Sequence, residues 1–197
     1  GIAAALVLYT PSASAVTLGI SADGRFFTLD GNPTFLNGVS YYGAQSISTA
    51  SFRTQDLDDM VANGFNWIRV WGYWKTPSGE DVSVLTHDGF VRATYMSRFK
   101  TLVTECNARG IIVDCSLNRD ANGDWVGARN QSEHLTAVQT LATELLPYRN
   151  VYIDVGNERD VGDARYLSLA DCGTLITGVK AIDSQRIVPA LYGRGAT

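Results

Sequence analysis

The sequence is poor in cysteine and histidine, and it lacks the spacings that turn either residue into a disulfide or metal site. Its three cysteines, Cys106, Cys115 and Cys172, are far apart and form no C-x-x-C pair. Neither a disulfide framework nor a zinc cluster is therefore predicted. The alternative is a single disulfide between two of the three cysteines. The two histidines, His87 and His134, do not have the spacing of a helical zinc motif. We expect buried thiols, no metal site and no cofactor.

Runs of like charge and long apolar runs are also missing. The 16 lysines and arginines against 20 aspartates and glutamates give a net charge of −4 with no basic stretch. This pattern excludes a broad electrostatic surface for nucleic acid and favours neutral ligands such as carbohydrates. No window after the N-terminal stretch has the ~18 apolar residues of a membrane span. The oligomeric state is not determined by the sequence.

The first 15 residues differ from the rest of the chain. An apolar stretch from Ile2 to Tyr9 is followed by Pro11 and by the small residues Ala13-Ser14-Ala15. This pattern is typical of the end of a secretory signal peptide, and it predicts a secreted or periplasmic protein. The alternative is an apolar N-terminal strand, which so alanine-rich a segment disfavours.

The remaining chain, residues 16–197, is predicted to form one globular unit in which strands and helices alternate. A short antiparallel hairpin is predicted at its start, with turns at Asp23-Gly24 and Asp30-Gly31. β-Prone runs then predict strands at Phe35–Tyr42, Phe65–Trp71 and Val151–Val155, with the start of a third strand at Ile111–Val113 and of a fifth at Ile187–Ala190. Helical spacing predicts helices at Thr54–Asn63, Tyr95–Arg109, Ser132–Leu146 and about Leu167–Ile182.

Strands separated by helices pair in parallel, which leaves an open doubly wound sheet or a (β/α)8 barrel. No G-x-G-x-x-G turn follows the first strand, so a dinucleotide-binding sheet is disfavoured. A barrel needs about 250 residues for eight units. We therefore predict an α/β fold that is a truncated (β/α)8 barrel with its first four to five units and a short N-terminal hairpin.

Reactive groups of such barrels lie where strands end and loops to the next helix begin. Aromatic residues are concentrated at these places, and their faces can carry sugar rings. The alternative is that they pack beneath long loops. The candidate substrate-binding residues at these strand ends are Tyr41, Tyr42, Trp71, Trp74, Asn118 and Trp125.

Glu158 is the sharpest candidate for chemistry. The pair Asn157-Glu158 follows the apolar strand in VYIDVGNE, so Glu158 is expected at the shared mouth of the barrel. A carboxyl group that is partly desolvated there can stay protonated near neutral pH, as a general acid requires. Asn157 beside it can donate to a sugar hydroxyl or a carboxylate. Asp154 is expected to have a structural hydrogen-bonding role.

Arg69 interrupts the hydrophobic strand FNWIRVW, and a buried arginine is costly unless carboxylates pair with it. Its expected partner is a nucleophilic carboxylate that it keeps ionised. The alternative is a purely structural ion pair with Asp114 or Asp154.

With these residues the chain resembles the clan A glycoside hydrolases, most nearly a family 5-like, cellulase-type barrel. The resemblance covers about residues 24–190 and is carried by FLNGVSYYG, DLDDMVANGFNWIRVWGYW, FKTLVTECNARGIIVDCSL and VYIDVGNE. It implies that Glu158 is the acid/base, Asn157 its neighbouring asparagine and Arg69 the second-strand arginine. The sequence departs from many relatives at the third strand, where Asp114-Cys115-Ser116-Leu117 stands in place of a histidine-containing end.

The resemblance also implies a retaining hydrolase of β-linked poly- or oligosaccharides, with residues 16–197 as the N-terminal part of the catalytic domain. Such an enzyme needs a second carboxylate about 5–5.5 Å from the first. The family places that glutamate after a seventh strand, and Glu158 is the last glutamate of this sequence. We therefore expect the fragment itself to be inactive. The alternatives are a non-catalytic carbohydrate-binding barrel and an open α/β sheet with an unrelated site.

Overall fold

The computed structural model describes residues 16–117, 125–160 and 165–190. Residues 1–15, in which the signal-peptide remnant is predicted, lie outside the described residues. The described residues form seven strands: β1 Leu18–Ile20, β2 Phe27–Leu29, β3 Asn32–Thr34, β4 Gly38–Ser40, β5 Trp67–Trp71, β6 Ile112–Ser116 and β7 Val151–Asp154. Four α-helices alternate with the later strands: α1 Ala50–Ala62, α2 Ala93–Asn107, α3 Gln131–Glu144 and α4 Leu169–Ile182.

The first three strands form an antiparallel sheet in the order β1-β2-β3. The sequence predicts only a hairpin here, and the structure adds β3 after the turn at Asp30-Gly31. Both turn residues have positive φ, 50° at Asp30 and 83° at Gly31. This backbone suits the tight connection of two twisted strands, which brings β3 back along β2.

The other four strands form a parallel sheet in the order β4-β5-β6-β7. Each strand pairs with the next one in the chain, with Ser40 opposite Arg69, Arg69 opposite Asp114 and Asp114 opposite Tyr152. Sequential parallel neighbours joined by helices are the arrangement of a (β/α)8 barrel wall. The predicted α/β fold, a truncated barrel, is confirmed.

Alternation along the strands gives the sheet two different faces. One face carries Ile68, Val113 and Ile153, which pack with apolar side chains of the helices, such as Phe99 and Leu141, in the main core. The cysteines Cys106, Cys115 and Cys172 are buried free thiols that belong to this core, as the sequence predicts. This core holds the helices against the outer face of the barrel wall.

The inner face begins with a smaller apolar cluster. Ile112 and Tyr152 are buried there with Leu18 of β1, and Trp67 and Phe27 pack against them. The rings of Phe27 and Tyr152 are stacked with centroids 6.4 Å apart. The N-terminal sheet therefore covers the amino-terminal end of the barrel strands, and the carboxyl ends of the strands lie at the opposite end.

The predicted fifth strand is only partly formed. Residues 183–190 run without regular secondary structure. Ile153 and Val155 nevertheless donate backbone hydrogen bonds to the carbonyls of Ile187 and Pro189, at 3.2 and 3.0 Å. The segment thus extends the sheet beside β7 through its carbonyl groups, while Pro189 has no N–H to donate. None of the helices in the described residues is both long and apolar enough to cross a membrane.

Candidate active site

The inner face of the barrel wall changes from apolar to polar toward the carboxyl ends of the strands. Arg69 on β5, Asp114 on β6 and Tyr152 on β7 stand in one cross-strand row, and Trp71, Ser116 and Asp154 form the next row. Asp114, Ser116 and Asp154 are all fully buried. Buried polar groups need hydrogen-bond partners, and these two rows supply them to one another.

Arg69 pairs with Asp114. The Arg69 Nε donates to Asp114 Oδ2 at 2.8 Å, and the carboxylate side chain is 0% exposed against 20% for the guanidinium. Burial raises the pKa of Asp114, and the adjacent Arg69 charge opposes that rise. The guanidinium also lies over the rings of Trp67 and Trp71, at 5.6 and 5.9 Å from their centroids. Within the described chain, the ion-pair partner of Arg69 is thus one of the two structural candidates named from the sequence.

Arg69 reaches the predicted catalytic turn as well. Its Nη1 donates to the Asn157 side-chain oxygen at 3.3 Å. The backbone N–H of Asn157 donates to the carbonyl of Leu117, at 3.3 Å. These contacts tie the segment after β7 to β5 and β6, so the structure brings the predicted residues Arg69 and Asn157 together.

Glu158 follows directly in the turn at 157–160. Its φ is 43°, in the left-handed region that non-glycine residues seldom adopt. Its side chain is exposed in the described chain. The partly desolvated surroundings expected from the sequence are therefore not provided by the described residues.

Asp154 lies beneath this turn at the end of β7. Its Oδ1 accepts a hydrogen bond from the Gly156 N–H at 3.1 Å, and its Oδ2 lies 3.4 Å from the Ser116 hydroxyl. Burial, and next the charge of Asp114, raise the pKa of Asp154 to about 7. The hydrogen-bonding role predicted for this residue is confirmed.

Four of the predicted aromatic residues form one continuous cluster, which we call the aromatic rim: Tyr42, Trp71, Trp74 and Trp125. The rings of Tyr42 and Trp74 have centroids 4.9 Å apart, and those of Trp71 and Trp74 are 6.0 Å apart. Trp125 meets Trp74 edge to face at 6.2 Å. Tyr42 and Trp125 are 58% and 41% exposed, whereas Trp71 is only 7% exposed. The outer surface of the rim is therefore made mainly by Tyr42 and Trp125, with Trp71 as its support.

Tyr41 occupies a different place from the one expected for a substrate-binding residue. Its hydroxyl donates to the carboxylate of Asp56 on α1, and its ring packs against the main core. Ser40, the residue before it, is paired with Arg69 on the inner face, and successive strand residues point to opposite faces, so Tyr41 points toward the helices. The contact of Tyr41 with substrate stays a prediction. The predicted residue Asn118 lies outside the described residues.

The histidines have structural contacts. The His87 Nδ1 lies 2.6 Å from the carbonyl oxygen of Gly127, and the His134 Nδ1 lies 2.9 Å from Arg165 Nη2. In the parts of the chain that the structure describes, no group of three or more His, Cys, Asp or Glu side chains could hold a metal ion.

The sequence analysis did not assign the polar network on the inner face, which joins Asp114 and Ser116 to Asp154. A signal for it exists in the sequence. Polar residues alternate with apolar ones in IIVDCSL and in VYIDVGNE, and Arg69 has the same alternation in FNWIRVW. Period-two polar residues in otherwise apolar parallel strands indicate a face that does not pack on helices.

Comparison with known proteins identifies the family. Residues 21–188 match the model of the cellulase family, glycosyl hydrolase family 5. The chain belongs to glycosyl hydrolase family 5. No curated protein sequence matches the chain significantly.

Solved structures of family 5 enzymes share the fold of this chain at low sequence identity. A glycoside hydrolase family 5 protein from Bacteroides vulgatus has a TM-score of 0.65 at 16% identity, covering 91% of this chain and 40% of that one. A family 5 mannosidase from Rhizomucor miehei has a TM-score of 0.70 at 12% identity, covering 92% and 57%. An endocellulase from Pyrococcus horikoshii, in complex with cellotetraose, has a TM-score of 0.60 at 11% identity, covering 90% and 57%. The chain thus spans about half the length of these solved structures.

Proposed function

We propose that the protein containing this chain is a retaining hydrolase of β-linked poly- or oligosaccharides in which Glu158 is the acid/base. The observation that carries the proposal is the position of the Asn157-Glu158 turn. In a family 5 chain it follows β7 at the carboxyl end of the parallel strands, and Arg69 holds it through Asn157. Active sites of such barrels lie at this end.

In the proposed reaction, Glu158 donates its proton to the departing glycosidic oxygen while a second carboxylate attacks the anomeric carbon. Glu158 then removes a proton from the water that releases the sugar from that carboxylate. Arg69 fixes the orientation of the Asn157 amide beside Glu158, through the hydrogen bond to its oxygen.

The second carboxylate is proposed to lie outside this sequence. Asp114 and Asp154 are fully buried and hydrogen-bonded within the barrel wall, so neither can reach an anomeric carbon. No glutamate follows Glu158 in the sequence. Residues 16–197 alone are therefore expected to lack hydrolytic activity.

The aromatic rim is the proposed sugar-binding surface. Tyr42 and Trp125 present exposed ring area near the strand ends, and aromatic faces suit the C–H surfaces of sugar rings. The family 5 neighbours include a mannosidase and an endocellulase, which supports a β-linked glucan or mannan as the substrate class. The same rim would also serve a carbohydrate-binding barrel without catalysis, so the test must separate binding from hydrolysis.

The test compares Glu158→Gln with the wild type in the full-length protein, on β-glucan and β-mannan oligosaccharides. Loss of the acid/base should lower kcat by about 10²–10⁴-fold. The control is Glu80→Gln, the same chemical change at an exposed glutamate of the loop after β5, which should leave kcat unchanged. Proton NMR should show that the first product has the same configuration at the anomeric carbon as the substrate.

Three results would overturn the proposal. The first is unchanged turnover in the Glu158→Gln variant, and the second is a product of inverted configuration. The third is wild-type protein that binds these sugars without cleaving them, which would establish the carbohydrate-binding barrel instead.

A further inference from the structure

Two fully buried carboxyl groups, Asp114 on β6 and Asp154 on β7, lie on either side of one serine hydroxyl. The Ser116 Oγ is 2.9 Å from Asp114 Oδ1 and 3.4 Å from Asp154 Oδ2. A serine hydroxyl carries one proton and can donate only one of these two hydrogen bonds. The second contact, to the carboxyl group that the hydroxyl does not donate to, is a hydrogen bond only when that carboxyl group carries a proton.

Counting protons indicates which carboxyl group carries it. Asp114 receives the Arg69 Nε–H at 2.8 Å, which stabilises its charged form. Asp154 accepts one hydrogen bond from a neutral backbone group, the Gly156 N–H. The consistent arrangement is a chain in which Asp154 Oδ2–H donates to Ser116, and Ser116 donates to the Asp114 carboxylate.

The charges around Asp154 agree with this arrangement. Asp114 on β6 is the nearest negative group and opposes ionisation of Asp154, while Arg69 on β5 favours it from behind Asp114. The Tyr152 hydroxyl, on β7 itself, is hydrogen-bonded to Asp114 and to the indole N–H of Trp67. With both carboxyl groups ionised, one guanidinium would face two buried charges, which costs free energy.

The same carboxyl group holds the turn that carries Glu158. Its Oδ1 receives the N–H of Gly156, the residue directly before Asn157. A shift of Asp154 therefore moves the backbone from which both Asn157 and Glu158 project. A displacement of a catalytic group by about 1 Å can lower the reaction rate by about a hundredfold.

We propose that Asp154 is a positioning residue that holds the Asn157-Glu158 turn in place while it is protonated and hydrogen-bonded to Ser116. This inference rests on the function proposed above for Glu158. Ionisation of Asp154 removes its hydrogen bond to Ser116 and leaves two buried carboxylates facing each other. Their repulsion shifts Asp154, and with it the Gly156 backbone that it holds, so hydrolysis slows.

The sign of the pH effect on stability follows from proton binding. The folded protein holds the proton of Asp154 up to about pH 7, whereas the unfolded chain releases it near 3.9. The free energy of unfolding contributed by this group therefore falls as pH rises between these values, and it is constant above about 7. An asparagine at this position keeps both hydrogen bonds and has no proton to lose.

The experiment uses the full-length protein with Asp154→Asn, Asp154→Ala and the control Asp59→Asn, at an exposed aspartate of α1. The ratio of kcat in Asp154→Asn to kcat in the wild type should be near one at pH 5.5. The ratio should rise about tenfold by about pH 8, because the carboxyl group of Asp154 ionises in the wild type and the asparagine variant has no such group. Alanine at position 154 cannot accept the hydrogen bond from the Gly156 N–H, so kcat of Asp154→Ala should be below that of the wild type at every pH. The ratio of kcat in Asp59→Asn to kcat in the wild type should not change with pH.

Urea unfolding provides a second readout that does not depend on hydrolysis. The stability gained by Asp154→Asn over the wild type should grow from pH 4.5 to about 7 and then level off. A flat kcat ratio together with a pH-independent stability difference would overturn the proposal. If the wild type hydrolyses no glycan, the proposed function fails, and the unfolding series still decides whether Asp154 holds the proton. A growing stability difference with a flat kcat ratio in an active enzyme would overturn the positioning role.

Discussion

Arg69 is the residue on which the polar contacts of the inner face converge. It pairs with Asp114, donates to Asn157 and lies over two tryptophan rings. Because Asp114 is completely buried, its charge depends on this one guanidinium. Arg69 therefore links the stability of the barrel wall to the position of the Asn157-Glu158 turn.

Replacing Arg69 by methionine should destabilise the protein by about 3–5 kcal/mol, because the Asp114 carboxylate is left buried without its counter-charge. Urea unfolding at pH 7 measures the loss. The added change Asp114→Asn should restore part of it by removing the unpaired charge. The control is Arg25→Met, which breaks an exposed 3.9 Å pair with Asp23 and should cost less than about 1 kcal/mol. If both variants lost the same free energy of unfolding, burial of the Arg69–Asp114 pair would not be the cause of the destabilisation.

At the scale of single elements, helices α3 and α4 begin with side-chain caps. Helix α4 begins at Leu169 with a capping box in which Ser168 accepts from the Asp171 N–H, at 3.1 Å, and the Asp171 side chain accepts from the Ser168 N–H, at 3.0 Å. Helix α3 is capped by Asn130, whose side chain accepts from the Glu133 N–H. These caps satisfy donors that the helix itself leaves unpaired.

The change Ser168→Ala should lower the free energy of unfolding by about 1 kcal/mol. Urea unfolding at neutral pH measures this, with Thr174→Ala as the control at an exposed position inside α4, where alanine favours helix. Hydrogen bonds from Ser168 hold the pKa of Asp171 below its usual range. The contribution of the Asp171 carboxylate to the free energy of unfolding is therefore present above about pH 4, and it is lost as pH falls through the lowered pKa of the folded state. The cost of Ser168→Ala should shrink in acid, and a constant cost would contradict a role for the Asp171 charge.

Element boundaries show what local patterns can and cannot predict. The run Ile111–Val113 marks the predicted beginning of the third strand, and β6 runs from Ile112 to Ser116, where Asp114 and Ser116 find partners on neighbouring strands. The helix expected from Leu167 begins at Leu169, after its serine cap. In each case the end of the element is set by hydrogen bonds that hydrophobic periodicity does not contain.

At the scale of the whole molecule, the fold assembles the aromatic rim from separate parts of the chain. Tyr42 follows β4, Trp71 ends β5, and Trp125 comes from the connection between β6 and α3. Parallel strands end on the same side of the sheet, so their following loops meet there. The rim is therefore a product of topology rather than of any one segment.

Removing the exposed end of the rim should weaken sugar binding without unfolding the protein. We expect Trp125→Ala to raise the Kd for a β-linked oligosaccharide about tenfold, through loss of stacking area. Calorimetric titration of the full-length protein in a Glu158→Gln background measures binding without turnover. Phe35→Ala is the control, because Phe35 is 85% exposed beside the N-terminal sheet. If both variants bind as the parent does, the rim is not the sugar surface.

The sequence by itself determined the alternation of strands and helices, the barrel class and the resemblance to family 5, because apolar periodicity and strand-end motifs are local in the chain. It also placed Glu158, Asn157 and Arg69 at strand ends, while the signal peptide at residues 1–15 stays a prediction. Only the tertiary structure decided that Arg69 pairs with Asp114, that Tyr41 faces the helices, and that Ser116 lies between two buried carboxyl groups. These contacts depend on strand register and on the face each side chain takes, and both are set by packing between segments distant in the chain.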